Sequence, residues 1–222
     1  MPAQRRGAWS PEDIRGAMRL YAVTDDAWLD GRTLTACVRE ALEGGATCVQ
    51  LRQKGAPSAS VALAARALAP ACREFGVPLL VDDDVEAARA AGVDGVHVGQ
   101  SDAACAEARA ALGEDAIIGV SVQTVEQARA AEAAGADYLG VGAVVDTSTK
   151  PEAWVVSPEE FRAIAAAVGI PVVAIGGLNA ATVPFLADYD VDGAAVVSAI
   201  FAADDIAGAT RELSRIIGET LG

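Results

Sequence analysis

The chain contains the stretch Ala134-Gly135-Ala136-Asp137-Tyr138-Leu139-Gly140-Val141-Gly142, in which a glycine-containing turn leads directly into a short apolar run. The run Tyr138–Gly142 is too short for a stable helix, whereas a buried strand is typically of this length. Similar turns precede three other apolar runs: Glu43-Gly44-Gly45-Ala46, Ala91-Gly92-Val93-Asp94 and Asp190-Val191-Asp192-Gly193. Such self-similarity indicates a fold that is built from repeated units.

Short apolar runs alternate with longer amphipathic segments along the whole chain. The runs are Leu20–Thr24, Cys48–Leu51, Pro78–Val81, Gly95–Gly99, Ile117–Val122, Tyr138–Gly142, Val172–Ile175 and Ala194–Ser198. Helical periodicity is clear in Ser58–Phe75, Asp102–Leu112, Val125–Ala134 and Pro158–Val168. This alternation predicts an α/β protein of one domain, a (β/α)8 TIM barrel over residues 19–222, which follows a polar N-terminal leader at residues 1–18.

The four related turns each precede an even-numbered run, so the sequence repeats every second strand–helix unit. In a (β/α)8 barrel, alternate strands fill alternate layers of the interior, and this arrangement favours such a period. A doubly wound open sheet is the alternative fold. It needs no eighth strand, however, and it gives no reason for the repeat.

The composition excludes several classes of protein. A net charge of −14 opposes binding to the phosphates of nucleic acid. Residues 1–6 carry positive charge, but the apolar segment of a signal peptide does not follow them. No apolar stretch reaches the length of a membrane span. Cys37, Cys48, Cys72 and Cys105 form no C-x-x-C pair, which favours buried free thiols. We therefore expect a cytoplasmic protein that binds neither nucleic acid nor membranes, and assembly as a homo-oligomer is compatible with the sequence.

Two lysines occur in the chain, Lys54 and Lys150, and both follow the end of an apolar run. Lysine carries a compact charge that suits phosphate, and arginine does not replace it at every site. Arg52 lies close to Lys54, so positive charge is concentrated here in an otherwise acidic protein. These residues are candidate anion ligands, and the alternative is that both lysines are simply solvated.

A second anion site is expected where the last two strands end. Gly176-Gly177 follows the seventh run, and Val197-Ser198 ends the eighth. Many (β/α)8 barrels bind phosphate at these two loops through main-chain N–H groups. The alternative is a glycine turn that merely precedes a helix.

Carboxylates are grouped at the ends of the third and fourth runs, where Asp82, Asp83, Asp84 and Asp102 occur. Crowded carboxylates repel one another unless a cation joins them, and Mg²⁺ is commonly held by one or two carboxylates together with substrate phosphates. The pattern predicts a Mg²⁺ site, and the alternative is a solvated turn with a helix cap at Asp102. The single histidine, His97, lies within a strand pattern, which favours a hydrogen-bonded core residue without a catalytic role.

Taken together, the motifs resemble those of the thiamine-phosphate synthase (thiamine phosphate pyrophosphorylase) family. In order, they are Gln50-Leu51-Arg52-Gln53-Lys54, Asp83, the Gly-Val-His-x-Gly-Gln-x-Asp pattern of residues 95–102, Gly-Val-Ser of 119–121, Thr-x-Thr-Lys of 147–150, Ala-Ile-Gly-Gly of 174–177 and Val-Val-Ser-Ala-Ile of 196–200. The resemblance implies a transferase that joins hydroxymethylpyrimidine diphosphate to a thiazole phosphate, so the partners are phosphorylated small molecules.

The resemblance also implies roles for individual residues. The residues implied to contact the pyrimidine diphosphate are Gln50, Leu51, Arg52, Gln53, Lys54, Asp82, Ser121 and Lys150. Those implied to bind the thiazole phosphate are Thr147, Ser148, Thr149, Gly177, Val197 and Ser198. The implied Mg²⁺ ligands are Asp83 and Asp102. Arg52, Ser121 and Lys150 are the implied catalytic residues.

The chain departs from the family pattern at two places. Asp82-Asp83-Asp84 stands where the family usually has Asn-Asp-Arg, and residues 142–146 lack the usual prolines and aromatic residue. We expect the charge of Asp82 to weaken diphosphate binding and Asp84 to cap the next helix. The segment 151–156, which contains Trp154, is expected to act as a lid, and the alternative is a tryptophan packed permanently on the rim.

Three other functions are less consistent with the residues. A thiazole tautomerase of the same fold relies on a histidine at the position of Gln123, and glutamine does not shuttle protons at neutral pH. A catalytically altered phosphate-binding or regulatory barrel would not need both Mg²⁺ candidates, both lysines and Ser121. A Schiff-base aldolase needs a desolvated lysine inside a strand, whereas both lysines lie beyond strand ends.

Overall fold

A computed structural model describes residues 9–29, 31–100, 102–145 and 156–222, and for residues 102 and 103 it describes the main chain only. Parallel strands in these ranges form a closed barrel in chain order, from β1 to β8. They are β1 Leu20–Val23, β2 Cys48–Leu51, β3 Leu79–Asp82, β4 Gly95–Val98, β5 Ile117–Val122, β6 Tyr138–Gly142, β7 Val172–Ile175 and β8 Gly193–Val196. The predicted (β/α)8 TIM barrel is therefore confirmed.

Helices connect the strands around the outside of the barrel. They are α1 Pro11–Ala17, α2 Leu34–Glu43, α3 Ser58–Phe75, α4 Val85–Ala91, α5 Asp102–Leu112, α6 Val125–Ala133, α7 Pro158–Ala165, α8 Ser198–Phe201 and α9 Ile206–Leu221. Short 3-10 helices span Asp26–Trp28 and Val183–Asp188. In the described part of the chain, no helix combines the length and the apolar content that crossing a bilayer requires.

Helix α1 lies within the stretch for which the sequence predicts only a polar leader. Ser10 caps it through a reciprocal pair of hydrogen bonds with Asp13. Ile14, Ala17 and the following Met18 are buried in one cluster with residues of the barrel interior. The packed body of the protein therefore includes this helix, which covers the N-terminal ends of the strands.

The last strand–helix unit also differs from its prediction. Strand β8 ends at Val196, whereas the predicted run extends to Ser198, because Ser198 already begins α8. Between β7 and β8 the connection is the 3-10 helix Val183–Asp188 rather than an α-helix. Pro184 stands at its start and lacks the N–H that a longer helix would need at an interior position.

The sequence repeat has a direct structural cause at the N-terminal ends of the strands. The main-chain N–H of Asp137 donates to the carbonyl of Ile118 at 2.8 Å, and its carboxylate accepts the N–H of the same residue at 2.7 Å. The same two bonds join Asp94 to Leu79, Asp192 to Val172 and, through a hydroxyl, Thr47 to Leu20. Each odd-numbered strand is thus held at or near its first residue by the residue that precedes the next even-numbered strand.

The turn before each of these clamping residues also has one conformation. Gly45, Gly92, Gly135 and Asp190 occupy equivalent positions and have φ values of 102°, 65°, 92° and 56°. This left-handed backbone is easy for glycine and costly for most other residues. The repeat therefore encodes a turn and the side chain that follows it.

All four cysteines are buried thiols that take part in no disulfide, which confirms the prediction made for them. Burial raises the pKa of the Cys48 thiol well above its ordinary value and that of Cys72 to about 12. These thiols therefore remain protonated and unreactive as nucleophiles at neutral pH.

Replacing Asp137 by Ala should lower the free energy of unfolding by about 1–3 kcal/mol, because the buried N–H of Ile118 loses its side-chain acceptor. Arg109, whose guanidinium lies 2.7 Å from the Asp137 carboxylate, loses its ion pair as well. Urea denaturation would measure the change. Asp115→Ala is the matched control, since Asp115 is exposed on the turn before β5. Equal losses in the two variants would contradict the role of the clamp.

Candidate active site

The C-terminal ends of the strands surround a cavity of about 750 Å³. Its size is that of a small-molecule site. Nine of the residues that the sequence assigns to a site line it: Gln50, Arg52, Lys54, Asp82, Asp83, Ser121, Gly177, Val197 and Ser198. They come from the ends of β2, β3, β5, β7 and β8, so residues far apart in the sequence meet at one rim of the barrel.

Arg52 is held in place by two carboxylates from neighbouring strands. Its Nη1 lies 3.0 Å from Oδ2 of Asp25, and its Nε lies 3.6 Å from Oδ2 of Asp82. The three side chains are only 14–21% exposed, so solvent screens these contacts less than it screens surface ion pairs. The main-chain N–H of Arg52 also donates to the buried Thr24 hydroxyl at 3.0 Å. The guanidinium is therefore oriented before any ligand binds.

The loops after β7 and β8 form another part of the cavity wall. Gly176 and Gly177 have φ values of 99° and 70°, a backbone that favours glycine. A side chain at Gly176 would also lie 2.7 Å from the Cβ of Ala143. Val197 and Ser198 line the cavity beside this loop. A turn with two consecutive glycines and a helix start at one place are the features by which a barrel binds phosphate.

Asp83 reaches the cavity through a strained backbone. Its φ is 58°, which is unusual for a residue other than glycine. The strain is fixed on both sides, because Asp83 N–H donates to the carbonyl of His97 at 2.8 Å and Asp84 N–H donates to that of Asp82 at 2.7 Å. Residues held in this way often serve a site, and here the result is a carboxylate at the cavity wall.

Asp84 has the different role that the sequence predicts. Its Oδ1 accepts the N–H of Ala87 at 2.8 Å, so it is the N-cap of α4. The helix-cap prediction for Asp84 is confirmed. The three consecutive aspartates therefore divide their tasks: Asp82 contacts Arg52, Asp83 lines the cavity and Asp84 stabilises a helix.

Asp83 fits the donor chemistry of Mg²⁺. Hard oxygen ligands suit this ion, which needs few protein carboxylates because it retains water and binds substrate phosphates. Asp83 offers such a carboxylate on the cavity wall. Among the described side chains, no group of three or more metal-ligating residues is found. The side chain of the second predicted ligand, Asp102, lies outside the described residues.

A chain of polar side chains crosses the floor of the cavity. Gln50 Nε2 donates to the Tyr21 hydroxyl at 2.8 Å, and the hydroxyls of Tyr21 and Tyr138 are 2.9 Å apart. His97 Nδ1 lies 2.8 Å from the Tyr138 hydroxyl, and its Nε2 lies 3.0 Å from Oγ of Ser121. His97 is therefore hydrogen-bonded through both ring nitrogens, as predicted, but it lines the cavity and is only partly buried, so its assignment to the core was wrong.

Two of the predicted site residues point away from the cavity. Leu51 is fully buried in the layer between the strands and the helices. The Gln53 amide donates to Asp26 at 3.0 Å, on the outer part of the rim. Any substrate contact of Leu51 is thus limited to its main chain. Thr147, Ser148, Thr149, Lys150 and residues 151–155 of the proposed lid, which include Trp154, lie outside the described residues, so their roles remain predictions.

Some residues of the site were not assigned a role from the sequence. Asp25, which lies next to the cavity lining, orients Arg52. Tyr21 and Tyr138 form the floor of the cavity. The tyrosines occupy positions of β1 and β6 that alternate with outward-facing apolar residues, and a phenol in an otherwise apolar strand needs a buried partner. That requirement is the signal in the sequence that points to them.

The cavity geometry agrees with the comparisons of sequence. A family model for thiamine monophosphate synthase matches residues 20–200. The chain belongs to this family. Thiamine-phosphate synthase of Syntrophomonas wolfei is 44% identical over 198 residues, which cover 89% of this chain and 95% of the relative. That of Chloroflexus aurantiacus is 44% identical over 203 residues, with 91% and 94% covered. The chain is thus an enzyme of the thiamine monophosphate synthase family.

A solved structure gives the same result for the fold. Thiamine phosphate pyrophosphorylase from Pyrococcus furiosus superimposes with a TM-score of 0.85 at 41% identity, over 94% of this chain and all of that one. A structure of KGPDC from Streptococcus mutans has a TM-score of 0.63 at 18% identity, which shows the shared barrel alone. The thiamine monophosphate synthase family therefore accounts for both sequence and structure, and distant barrels account for the fold only.

Replacing Asp83 by Gly should raise the free energy of unfolding by about 0.5–1 kcal/mol, because relief of the left-handed backbone outweighs the added flexibility of glycine. The same change should lower turnover, since the cavity loses a carboxylate. Thermal melting and a steady-state assay would measure the two effects.

Asp190→Gly is the control for this change. Asp190 has nearly the same φ, 56°, and is exposed far from the cavity lining. It should gain similar stability with unchanged turnover. A stable Asp83→Gly enzyme with full activity would show that the carboxylate has no role in the site.

Proposed function

We propose that the chain joins 4-amino-2-methyl-5-hydroxymethylpyrimidine diphosphate to 4-methyl-5-(2-phosphooxyethyl)thiazole, with release of diphosphate and formation of thiamine phosphate. The observation that carries this proposal is one cavity with two separate features for anions. Arg52 and Lys54 follow β2, and the glycine loop with Ser198 follows β7 and β8. Two phosphorylated substrates need two such places.

The geometry supports a reaction in which the carbon–oxygen bond to diphosphate breaks before the new bond forms. Negative charge then grows on the leaving group, so positive groups stabilise the transition state more than the bound substrate. Arg52 is already oriented for this task by Asp25 and Asp82. Lys54 lines the same cavity, and Lys150 is proposed to join them. No protein nucleophile is required, because the thiazole nitrogen needs only to be positioned.

Asp83 and Asp102 are proposed to hold Mg²⁺. When bound, this ion would neutralise part of the charge of the diphosphate. Asp83 supports the proposal because its strained backbone places a carboxylate on the cavity wall. Ser121 lies on the opposite side of His97 from Tyr138 and offers its hydroxyl to the pyrimidine.

The tautomerase alternative gains no support from the cavity. Gln123 lines it at the position in question. Its main-chain N–H donates to the Gln127 side chain at 2.7 Å, and a glutamine side chain cannot exchange protons with substrate. A regulatory barrel would not require the strained backbone of Asp83 or the orientation of the Arg52 guanidinium.

Incubation of the purified chain with both substrates and Mg²⁺ tests the proposal directly. Thiamine phosphate and diphosphate should appear in equal amounts, and neither should form when one substrate is omitted. Isomerisation of the thiazole without coupling would favour the tautomerase. Binding of both compounds without product would favour the regulatory barrel.

Replacing Asp82 by Asn should tighten binding of the pyrimidine diphosphate by up to roughly tenfold, because a partly buried negative charge beside the phosphates is removed. Arg52 then keeps Asp25 as its partner and directs more of its charge to the ligand. Calorimetric titration with and without Mg²⁺ would give the dissociation constants.

Asp26→Asn is the matched control for Asp82→Asn. It removes the same charge from the same rim, but Asp26 contacts Gln53 rather than Arg52. Its effect on binding should be small. Weaker binding in Asp82→Asn, or equal tightening in both variants, would contradict a specific repulsion by Asp82.

A further inference from the structure

The hydrogen bonds that link the polar side chains on the cavity floor run in one direction, from donor to acceptor. They begin at Gln50, whose Nε2 is a donor only and gives its hydrogen to the Tyr21 oxygen. Tyr21 is 2% exposed and Tyr138 is fully buried. Burial raises the pKa of both phenols well above the ordinary value, so each keeps its proton. Each phenol therefore has one hydrogen to donate.

The next two hydrogen bonds are donated in order from Tyr21 to Tyr138 and from Tyr138 to His97. The Tyr21 hydrogen has two acceptors within reach, the Tyr138 oxygen and the Cys48 sulfur. Sulfur is a weak acceptor, so the hydrogen goes to Tyr138. Tyr138 accepts that bond and donates its own hydrogen to Nδ1 of His97. A ring nitrogen that accepts a hydrogen bond carries no hydrogen, so the ring hydrogen of His97 resides on Nε2.

The last bond of the chain concerns Ser121. With its hydrogen on Nε2, His97 donates to the Ser121 oxygen at 3.0 Å. The Ser121 hydroxyl then keeps its own hydrogen for an acceptor in the cavity that both residues line. In the opposite direction, Ser121 would give its hydrogen to His97 and could only accept from a ligand. The two directions therefore predict opposite hydrogen-bonding roles for the same hydroxyl.

The barrel provides space for this arrangement at two glycines. A Cβ at Gly119 would lie 2.1 Å from Cζ of Tyr138, and one at Gly140 would lie 3.0 Å from Cε1 of His97. The contact at Gly119 is too close for any side chain, and at Gly140 the His97 ring would have to shift to admit one. The Tyr138 ring and the His97 ring are also in contact, with their centroids 5.4 Å apart. The two rings are thus fixed by packing as well as by hydrogen bonds.

We propose that Tyr138 is a positioning residue, which holds His97 in the Nε2-protonated form and thereby makes Ser121 a hydrogen-bond donor to the substrate. Tyr21 and Gln50 set the direction of the chain. The identity of the acceptor rests on the proposed function, in which it is a ring nitrogen of the pyrimidine. The protonated nitrogen of His97 does not depend on that function.

Nitrogen-15 NMR tests the direction without any substrate. The chain has one histidine, so labelling with ¹⁵N-histidine yields two ring signals that need no further assignment to a residue. The wild-type spectrum should show a proton on Nε2 and none on Nδ1. A proton on Nδ1, alone or together with one on Nε2, would overturn the proposal.

Tyr138→Phe tests the role of the hydroxyl. The variant should lose the single Nε2-protonated form and give a mixture of the two neutral forms. Turnover should fall by up to about tenfold, the usual worth of one neutral hydrogen bond, with a smaller change in KM for the thiazole phosphate. Tyr189→Phe is the control, because this tyrosine stacks on Phe161 outside the cavity lining. An unchanged His97 spectrum in Tyr138→Phe would overturn the proposal.

The two readouts separate this proposal from the proposed function. If the wild-type enzyme forms no thiamine phosphate but His97 carries its proton on Nε2, the proposed function is wrong and the proposed direction of the hydrogen bonds is confirmed. If thiamine phosphate forms but His97 carries its proton on Nδ1, the positioning role fails and the function stands.

Discussion

The register between neighbouring strands is the constraint on which the site depends. A shift of one residue would turn every side chain of a strand from the interior to the helices. The clamps of Thr47, Asp94, Asp137 and Asp192 fix that register where the odd-numbered strands begin. Each clamp uses a main-chain bond and a side-chain bond to one residue, so it opposes both sliding and separation of the strands. The functional rim lies one strand length away, so the register fixed by the clamps also determines which side chains meet there.

Charge at the rim is balanced within the protein before any ligand binds. Arg52 lies between Asp25 and Asp82, and the side chains of all three are mostly buried. A guanidinium at such a place costs less when carboxylates accept its hydrogen bonds, but each carboxylate also reduces the positive charge available to a diphosphate. Asp25 meets the structural need at 3.0 Å, whereas Asp82, at 3.6 Å, adds negative charge with a weaker contact. The aspartate at position 82 is thus the most informative departure from the family pattern.

The sequence predicts the barrel because the length of its apolar runs and their regular alternation with helical segments determine the fold class. Short apolar runs of strand length occur eight times, and a single domain with a closed sheet follows. Helix α1 could not be predicted in the same way, since it buries only Ile14 and Ala17 and its other residues are exposed. The end of β8 was wrong by two residues because Val197 and Ser198 continue the apolar run although the backbone has already left the sheet.

The candidate site was predictable where one short motif supplies several residues, as in Gln50–Lys54. It was less predictable where a contact joins distant strands. The hydroxyls of Tyr21 and Tyr138 meet across 117 positions of sequence, and no local pattern indicates their pairing. The side chains of Leu51 and Gln53 belong to the same motif as Arg52 but point elsewhere, because successive residues of a strand alternate between faces and the chain turns after Leu51.

Arg52 and the floor residues follow the same physical principle. In both places, hydrogen bonds within the protein orient polar groups before the substrate arrives, so little reorganisation is needed when charge develops. Arg52 is oriented by carboxylates, whose charge also limits its effect. The floor is oriented by neutral groups, from the Gln50 amide through two phenols to an imidazole, and therefore adds direction without adding charge. For the proposed reaction, in which the site holds two anionic substrates near several aspartates, this difference is an advantage. A hydroxyl positioned by neutral partners would select the orientation of a ring without altering the charge balance that binds the diphosphate.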